Sequence, residues 1–462
     1  MRNLPRFAAA GAAALVMALM PAMAQQNPGG LRLTGGVEQR FEAGRNLGLA
    51  IPAEGSTLQS VTRLSLGLDS ETRTERFSIG ASSALRFGRG PGGRISGFDD
   101  PRLRFSYARE GARSGLDLGG SYRRSQVEFL RALSDFADED GVIVLPEDFE
   151  DLTGSGRRTE RALRGRLELG RDMPLGLVLN ARHSGIGYSG VTNPDLFDTR
   201  RDELGATLRM QLSPVATATL GAGRNRYRAE NAAQTRRITD RLDLGLAYDV
   251  SPVLRLDAGL GWRRIDSREF GVTTRREGAT GRLGLVQTLP DGEISARFNA
   301  DRDQTGTRQT LRVGRKLDRP DGEISGSIGL TRTPAGRTEA IGDLAWRRDL
   351  PAGSITARLA RSVATTSADE TRLRTLAGLT YRHAINENSA VSLRFDYSQS
   401  SATATQNRLR RTDLNAVYSH QMTRDWALNL GANYRVRQEQ GVGRSAAPSV
   451  FLTLGRQFDL RL

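Results

Sequence analysis

The chain has 462 residues, no cysteine and a formal charge of +15, carried almost wholly by arginine, since Lys316 is the only lysine. The absence of cysteine excludes a disulfide framework, a thiolate metal site and a lipid-modified N-terminal cysteine. The arginines are spread through every segment rather than clustered, which argues against nucleic acid, and no linker divides the chain into the two or three soluble domains its length would predict.

In chain order, Arg2 and Arg6, the apolar run Phe7–Met20 and the Ala22-Met23-Ala24 sequence predict a cleaved secretory leader over 1–24, with 25–462 as the mature protein. Beyond Ala24 no apolar run approaches the roughly 18 residues of a transmembrane helix. Instead apolar and polar residues alternate with period two, the mark of strands with one greasy and one wet face. The pattern runs through Leu31–Phe41, Leu58–Leu68, Phe77–Phe87, Leu103–Tyr107, Leu116–Tyr122, Leu163–Leu169, Leu175–Leu179 and Leu204–Leu212. It continues, more weakly at Val215–Tyr227, through Leu242–Val250, Leu254–Trp262, Leu283–Leu289, Ile294–Phe298, Leu311–Leu317 and Ile324–Leu330. The last segments are Leu344–Leu350, Ile355–Leu359, Leu373–Ile385, Val391–Tyr397, Leu414–Tyr418, Trp426–Val436 and Val450–Leu462.

Reversal signals punctuate these segments at Pro174, Ser213-Pro214, Ser251-Pro252, Pro290-Asp291-Gly292, Pro320-Asp321-Gly322 and Pro351-Ala352-Gly353. The sequence PDGEIS occurs twice, at Pro290–Ser295 and Pro320–Ser325. Short connections alternate with longer ones, as in an array of β-hairpins. The final segment places Val450, Leu452, Leu454, Phe458, Leu460 and Leu462 on one face, and only Arg456 breaks that parity.

The leader, the hairpin array and the apolar closing strand together resemble a Gram-negative outer-membrane β-barrel of the porin-like kind. That resemblance implies an all-β, closed antiparallel transmembrane barrel of about 22 strands, within a range of roughly 18–24. It implies short periplasmic turns, longer outer loops, surrounding outer-membrane lipid and lipopolysaccharide, and a closing strand (Phe458, Leu460, Leu462) read by the barrel-assembly machinery. A barrel of this size also matches TonB-dependent transporters, which carry an N-terminal plug. Only Gln25–Gly30 precede the first strand, so no plug is expected. A soluble sandwich is the competing reading of the alternation, but so many similar strands with so few aromatics make a poor soluble core.

The chemistry-bearing residues are sparse. His183, His383 and His420 are the only histidines, and no catalytic or metal-binding motif surrounds them. No enzyme activity, cofactor or metal is expected. The wet face instead carries Arg164, Arg166, Arg182, Arg241, Arg255, Arg297, Arg312, Arg358, Arg374, Arg394, Arg411 and Arg435, interleaved with fewer acids. These either pair with acids across the strands or line an aqueous pore and concentrate anions. The longest loop, Arg131–Arg158, is acidic around the apolar Val142–Leu145. It is either a solvated outer loop or an inward constriction, with Asp138, Glu139, Asp140, Glu147 and Asp148 as its candidate residues. The expected function is passive diffusion of small hydrophilic solutes, anions foremost. The alternatives are a conduit or anchor for surface polysaccharide export, and a structural or adhesive barrel.

Overall fold

The computed structural model describes residues 30–129, 132–137, 142–366 and 370–461. The leader, the short lead on which the expectation of no plug rests, and Leu462 fall outside the described residues.

The strands are β1 (Leu31–Arg45), β2 (Ser56–Glu71), β3 (Glu75–Gly90), β4 (Gly93–Glu110), β5 (Ser114–Gln126), β6 (Arg157–Leu169), β7 (Leu175–Ser189) and β8 (Thr199–Ser213). They continue as β9 (Ala216–Ala229), β10 (Arg236–Ser251), β11 (Leu254–Glu269), β12 (Val272–Leu289), β13 (Gly292–Asp303), β14 (Gly306–Arg319) and β15 (Gly322–Arg332). The last are β16 (Thr338–Leu350), β17 (Gly353–Thr365), β18 (Thr371–Asn386), β19 (Ser389–Ser400), β20 (Leu409–Gln421), β21 (Trp426–Glu439) and β22 (Gly443–Arg461). Each strand pairs antiparallel with the next. β22 returns to β1 over the register Arg32↔Arg461 to Gly44↔Ser449, so the 22-stranded sheet closes on itself. With strands ~4.8 Å apart and tilted by ~40°, such a barrel is roughly 40 Å across between backbones.

The alternation sorts cleanly into an inner and an outer wall. Along β11, Leu260 and Trp262 stand 74% and 50% exposed, while Ile265 and Ser267 on the other parity are buried. Leu58, Leu204 and Ile328 are likewise more than half exposed on the outer wall. A water-soluble protein does not present a continuous apolar belt of this extent. In hydrocarbon the belt is solvated, and closure leaves no unpaired edge. The molecule is an outer-membrane barrel.

The turns follow from their glycines. Gly292 and Gly322 have φ of +134° and +152°, and a Cβ on either would lie 2.2 and 2.1 Å from Lys316 O and Arg347 O of the neighbouring strand. Only glycine fits there. The expected alternation of short and long connections holds only in part. At the outer end, β11–β12 turns through Phe270 and Gly271, both with positive φ, as tightly as any periplasmic turn. These strands also run well past their apolar segments, β12 beginning at Val272 rather than Leu283.

Arg456 lies where its charge is tolerated. It faces outward opposite Trp426, the first residue of β21, and so lies at the tight-turn rim. Its guanidinium sits 5.4 Å from the Trp426 ring centroid and 4.7 Å from that of Phe458. Arginine facing lipid costs about 2–4 kcal/mol at the midplane but about 0–1 near an interface, and the two rings offset part of that. Arg456→Leu should therefore change unfolding stability in lipid vesicles by less than about 1 kcal/mol. A gain of several kcal/mol would place Arg456 in the hydrocarbon instead.

Candidate functional site

The segment joining β5 to β6 is too apolar to remain in water. Among its acids it carries Val127, Leu133, Phe136, Ile143, Leu145, Phe149 and Leu152. It turns into the lumen and buries them in two clusters that share Phe136. Val127 and Leu152 pack with Leu196, Tyr188 and Val191. Leu133 and Phe149 pack with Leu409, Ile143 and Leu145. The rings of Phe136 and Phe149 meet edge to face at 5.2 Å.

Charge ties the segment to both walls. On its own side Arg158 donates to both oxygens of Asp148 at 2.8 and 3.1 Å, Tyr188 also bonds Asp148, and Arg201 donates to Glu147 at 3.0 Å. Arg123 reaches the carbonyl of Asp135 at 3.2 Å. On the opposite wall Glu150 is the anchor. It accepts from Arg374 at 2.7 and 3.1 Å and from the Ser400 hydroxyl at 2.5 Å, with Arg372 3.4 Å away. The Leu133 N–H donates to Asp413 at 2.5 Å, the Gln406 amide to Asp151 at 2.6 Å, and the Arg411 guanidinium lies 4.3 Å from the Phe149 ring centroid. The segment therefore crosses the lumen near its outer end.

The predicted arginines share the inner wall but do different work. Arg374 and Arg411 hold the crossing segment. Arg394, Arg255 and Arg166 pair with acids two residues on along their own strands, Asp396, Asp257 and Glu168, at 2.6, 3.4 and 3.8 Å, and only Arg312 reaches another strand, to Asp343 of β16 at 3.0 Å. Arg164 and Arg241 lie flat over Gly119 and Gly223, where a Cβ would meet their Nε at 2.7 and 2.6 Å. Arg182 stands opposite Arg164 and Arg297 opposite Arg312, while Arg358 and Arg435 line the same wall. Of the loop candidates, Glu147 and Asp148 are anchors on the near wall, and Asp138, Glu139 and Asp140 fall outside the described residues. Sequence reasoning missed Arg158, Arg201, Phe149 and Ser400. The repeated large apolar residues of an otherwise acidic loop were the available signal. The histidines stay on the outer wall, His183 against Asp202 at 2.6 Å and His383 stacked 6.0 Å from Tyr381.

Above the crossing segment lies a cavity of about 720 Å³, open to the outer mouth. Glu54, Glu128, Glu150, Asp151, Asp195 and Glu439 line it, against Arg437. The vestibule is thus acidic where the wall below is basic. Burial, then the nearby charges of Glu150 and Asp195, push the Asp151 carboxyl from 3.8 up to about 7, against the pull of Arg372. A raised carboxyl favours the docked segment when protonated. The part of docking owed to Asp151 is full below pH 3.8, weakens as pH rises towards about 7 and is gone above it. Hydrogen exchange of residues 142–153 should quicken over that window beyond the intrinsic change, and Asp151→Asn should abolish the dependence. A pH-independent ratio of protection in the unmodified protein would refute it.

No protein-family model matches the chain, and no curated protein matches it in sequence. Its fold is similar to solved structures. The FrpB iron transporter from Neisseria meningitidis (F3-3 variant) aligns over 94% of this chain and 82% of its own, at 12% identity and a TM-score of 0.58. The siderophore receptor PirA from Pseudomonas aeruginosa aligns over 94% and 81%, at 11% identity and 0.52. The ferric-catecholate import receptor Fiu from E. coli K12 aligns over 94% and 82%, at 9% identity and 0.58. At these identities the likeness is one of architecture.

These findings correct the expectation of a passive, porin-like channel, and with it the export and adhesion alternatives. The similar barrels are transporters and import receptors rather than porins or enzymes. The physical reason lies in the lumen. A folded segment fixed to both walls stands where free diffusion would need open water.

Proposed function

We propose that this barrel takes up a small ligand across the outer membrane by a gated route, with the β5–β6 segment as the gate. The observation that carries the reading is the double anchorage of that segment, through Asp148 to its own side and Glu150 to the far side. Opening it requires breaking buried ion pairs, which thermal motion alone does rarely. A ligand opens such a gate only by binding the open state more tightly, and taking the gate from mostly shut to mostly open requires about 5.5 kcal/mol of difference. The acidic vestibule would meet the ligand first, and two of its carboxylates, Glu150 and Asp151, also hold the gate to the far wall. The fold's likeness to iron transporters and siderophore receptors makes ferric chelates the first ligand class to try.

The chain has no cysteine, which allows a clean test. Asp151→Cys with Gln406→Cys, joined by a short thiol-reactive linker, should lock the gate to the far wall. Cells carrying this variant as their only such receptor should take up radiolabelled ferric chelate when the thiols are free and cease to do so once linked. Equal uptake in both states would overturn the gate. No uptake of any ferric chelate by the unmodified protein would overturn the ligand class.

A further inference from the structure

The outer wall beyond the lipid belt carries an unusual row. Arg200 of β8 stands opposite Arg228 of β9, which stands opposite Arg236 of β10, which stands opposite Arg268 of β11. Their outward direction follows from their neighbours. Arg201 and Arg237 lie on the inner side against the ring of the buried Tyr227, and Arg237 donates to the buried Ser267 at 3.0 Å. Like charges directly opposite one another destabilise a sheet. Here four occur in line on adjacent strands, each step ~4.8 Å.

The neighbouring acids reach only the first member of the row, Arg200. Asp202 is held by His183 and Arg200, Asp240 by Arg224, and Asp266 by Arg264 and Arg275. Among the described residues Arg228, Arg236 and Arg268 form no ion pair, and all three are exposed.

Height supplies the second observation. On β11 the outward residues from Leu254 to Trp262 are apolar or alanine, and Arg264 is the first charge beyond them. That stretch climbs ~27 Å along the strand, or ~20 Å of membrane once tilt is included. An apolar band ~25 Å tall that starts at Leu254 ends near Arg264, so Arg268 stands four residues, or ~10 Å, above the hydrocarbon edge on the outer side. Polar headgroups occupy that level.

We infer that this face of β8–β11 binds the phosphorylated headgroup of an outer-leaflet glycolipid. Phosphate offers several acceptor oxygens that arginine forks engage bidentately, and its charge replaces the repulsion with attraction. A single phosphate spans one step of the row. Arg228 to Arg268 covers two steps, ~10 Å, which suits a sugar headgroup bearing phosphates at both ends. The inference is independent of the gate, since it concerns the outer wall and not the lumen.

The test compares the full-length mature protein, refolded into phosphatidylcholine vesicles, with the triple variant Arg228→Gln, Arg236→Gln and Arg268→Gln. The vesicles carry bisphosphorylated lipid A, its phosphate-free counterpart, or neither. Affinity for the bisphosphorylated lipid should fall roughly a hundredfold in the variant, at the usual strength of basic residues near an anionic surface. In vesicles without phosphate the variant should be no less stable than the unmodified protein, because repulsion has been removed. Arg315→Gln, Arg348→Gln and Arg424→Gln, which remove the same charge at the opposite rim, should leave the affinity unchanged. Equal binding by the triple variant, equal binding of the phosphate-free lipid, or equal loss in the rim variant would overturn the assignment. A triple variant that fails to fold in neutral vesicles would overturn it too, by making the row structural. Inorganic phosphate stabilising the protein as strongly as the lipid would mark a general anion site and reject the lipid.

Discussion

Replacing Glu150 by glutamine is expected to release the crossing segment and give a large, steady conductance in a planar bilayer, where the unmodified protein stays mostly shut. Glu150 is the only acid within ion-pair reach of Arg372 and Arg374 among the described residues, and Arg372 is fully buried. None of the guanidinium nitrogens of Arg372 has a hydrogen-bond partner, so Glu150 at 3.4 Å is its nearest counter-charge, with Asp151 further away. Breaking a buried pair from one side costs about 3–5 kcal/mol, because the partner's charge stays desolvated. Local openings in proteins begin near zero and reach only the global stability, so a loss of this size moves the segment from mostly docked to substantially free. Glu147→Gln is the matched control. Its partner Arg201 is 39% exposed and Glu147 is 50% exposed, so that pair contributes about 0–1 kcal/mol and its loss should scarcely alter the trace. If Glu150→Gln conducts like the unmodified protein and the segment keeps its hydrogen-exchange protection, Glu150 is not the latch.

The second large effect is expected at the seam. Deleting Phe458–Leu462 removes the pairs Gly35↔Phe458, Thr34↔Asp459, Leu33↔Leu460 and Arg32↔Arg461, and with them the Arg32–Asp459 ion pair at 2.5 Å. The ion pair is minor, because both partners are about half exposed. The backbone is not. The deletion strips a run of N–H and C=O partners from β1 and leaves an open sheet edge where the barrel must close. The truncated chain should yield no heat-modifiable folded band and should accumulate in the periplasm, degraded or aggregated. We expect the same residues to be what the barrel-assembly machinery recognises. Normal insertion of the truncated chain would refute both statements. Asp459→Asn alone should assemble normally.

The barrel was legible because its strands announce themselves wherever lipid demands an apolar outer face. Among the described residues every apolar alternating segment lies in its own strand, save Val215 in the turn before β9. The ends of the strands were not legible. Leu254–Trp262 marks the part of β11 that touches hydrocarbon, but the strand continues to Glu269 on residues that are all polar but for the inward Ile265. There the backbone ladder persists with no hydrophobic signal to reveal it. The fold of the Arg131–Arg158 segment was obscured for a different reason. Its acids suggest solvent, and their partners Arg158, Arg201 and Arg374 lie on strands whose proximity depends on closure of the whole barrel. Arg372, fully buried, resembles any other wall arginine in the sequence. Its environment comes from Glu150, which arrives from the opposite wall.

The repeated PDGEIS turns make the wall divisible. Leu289 faces Gly292 across the first turn, and Arg319 faces Gly322 across the second. Excising Pro290–Arg319 would join Leu289 directly to Pro320 and recreate the same turn from an identical sequence. The hairpin β13–β14 would leave as a unit, β12 would meet β15, and Ile324 would take the outward place of Ile294. Circumference is thus set by the number of hairpins, added or lost whole. A barrel narrower by two strands, still closed and still facing lipid with leucine and isoleucine, lies one in-frame deletion away.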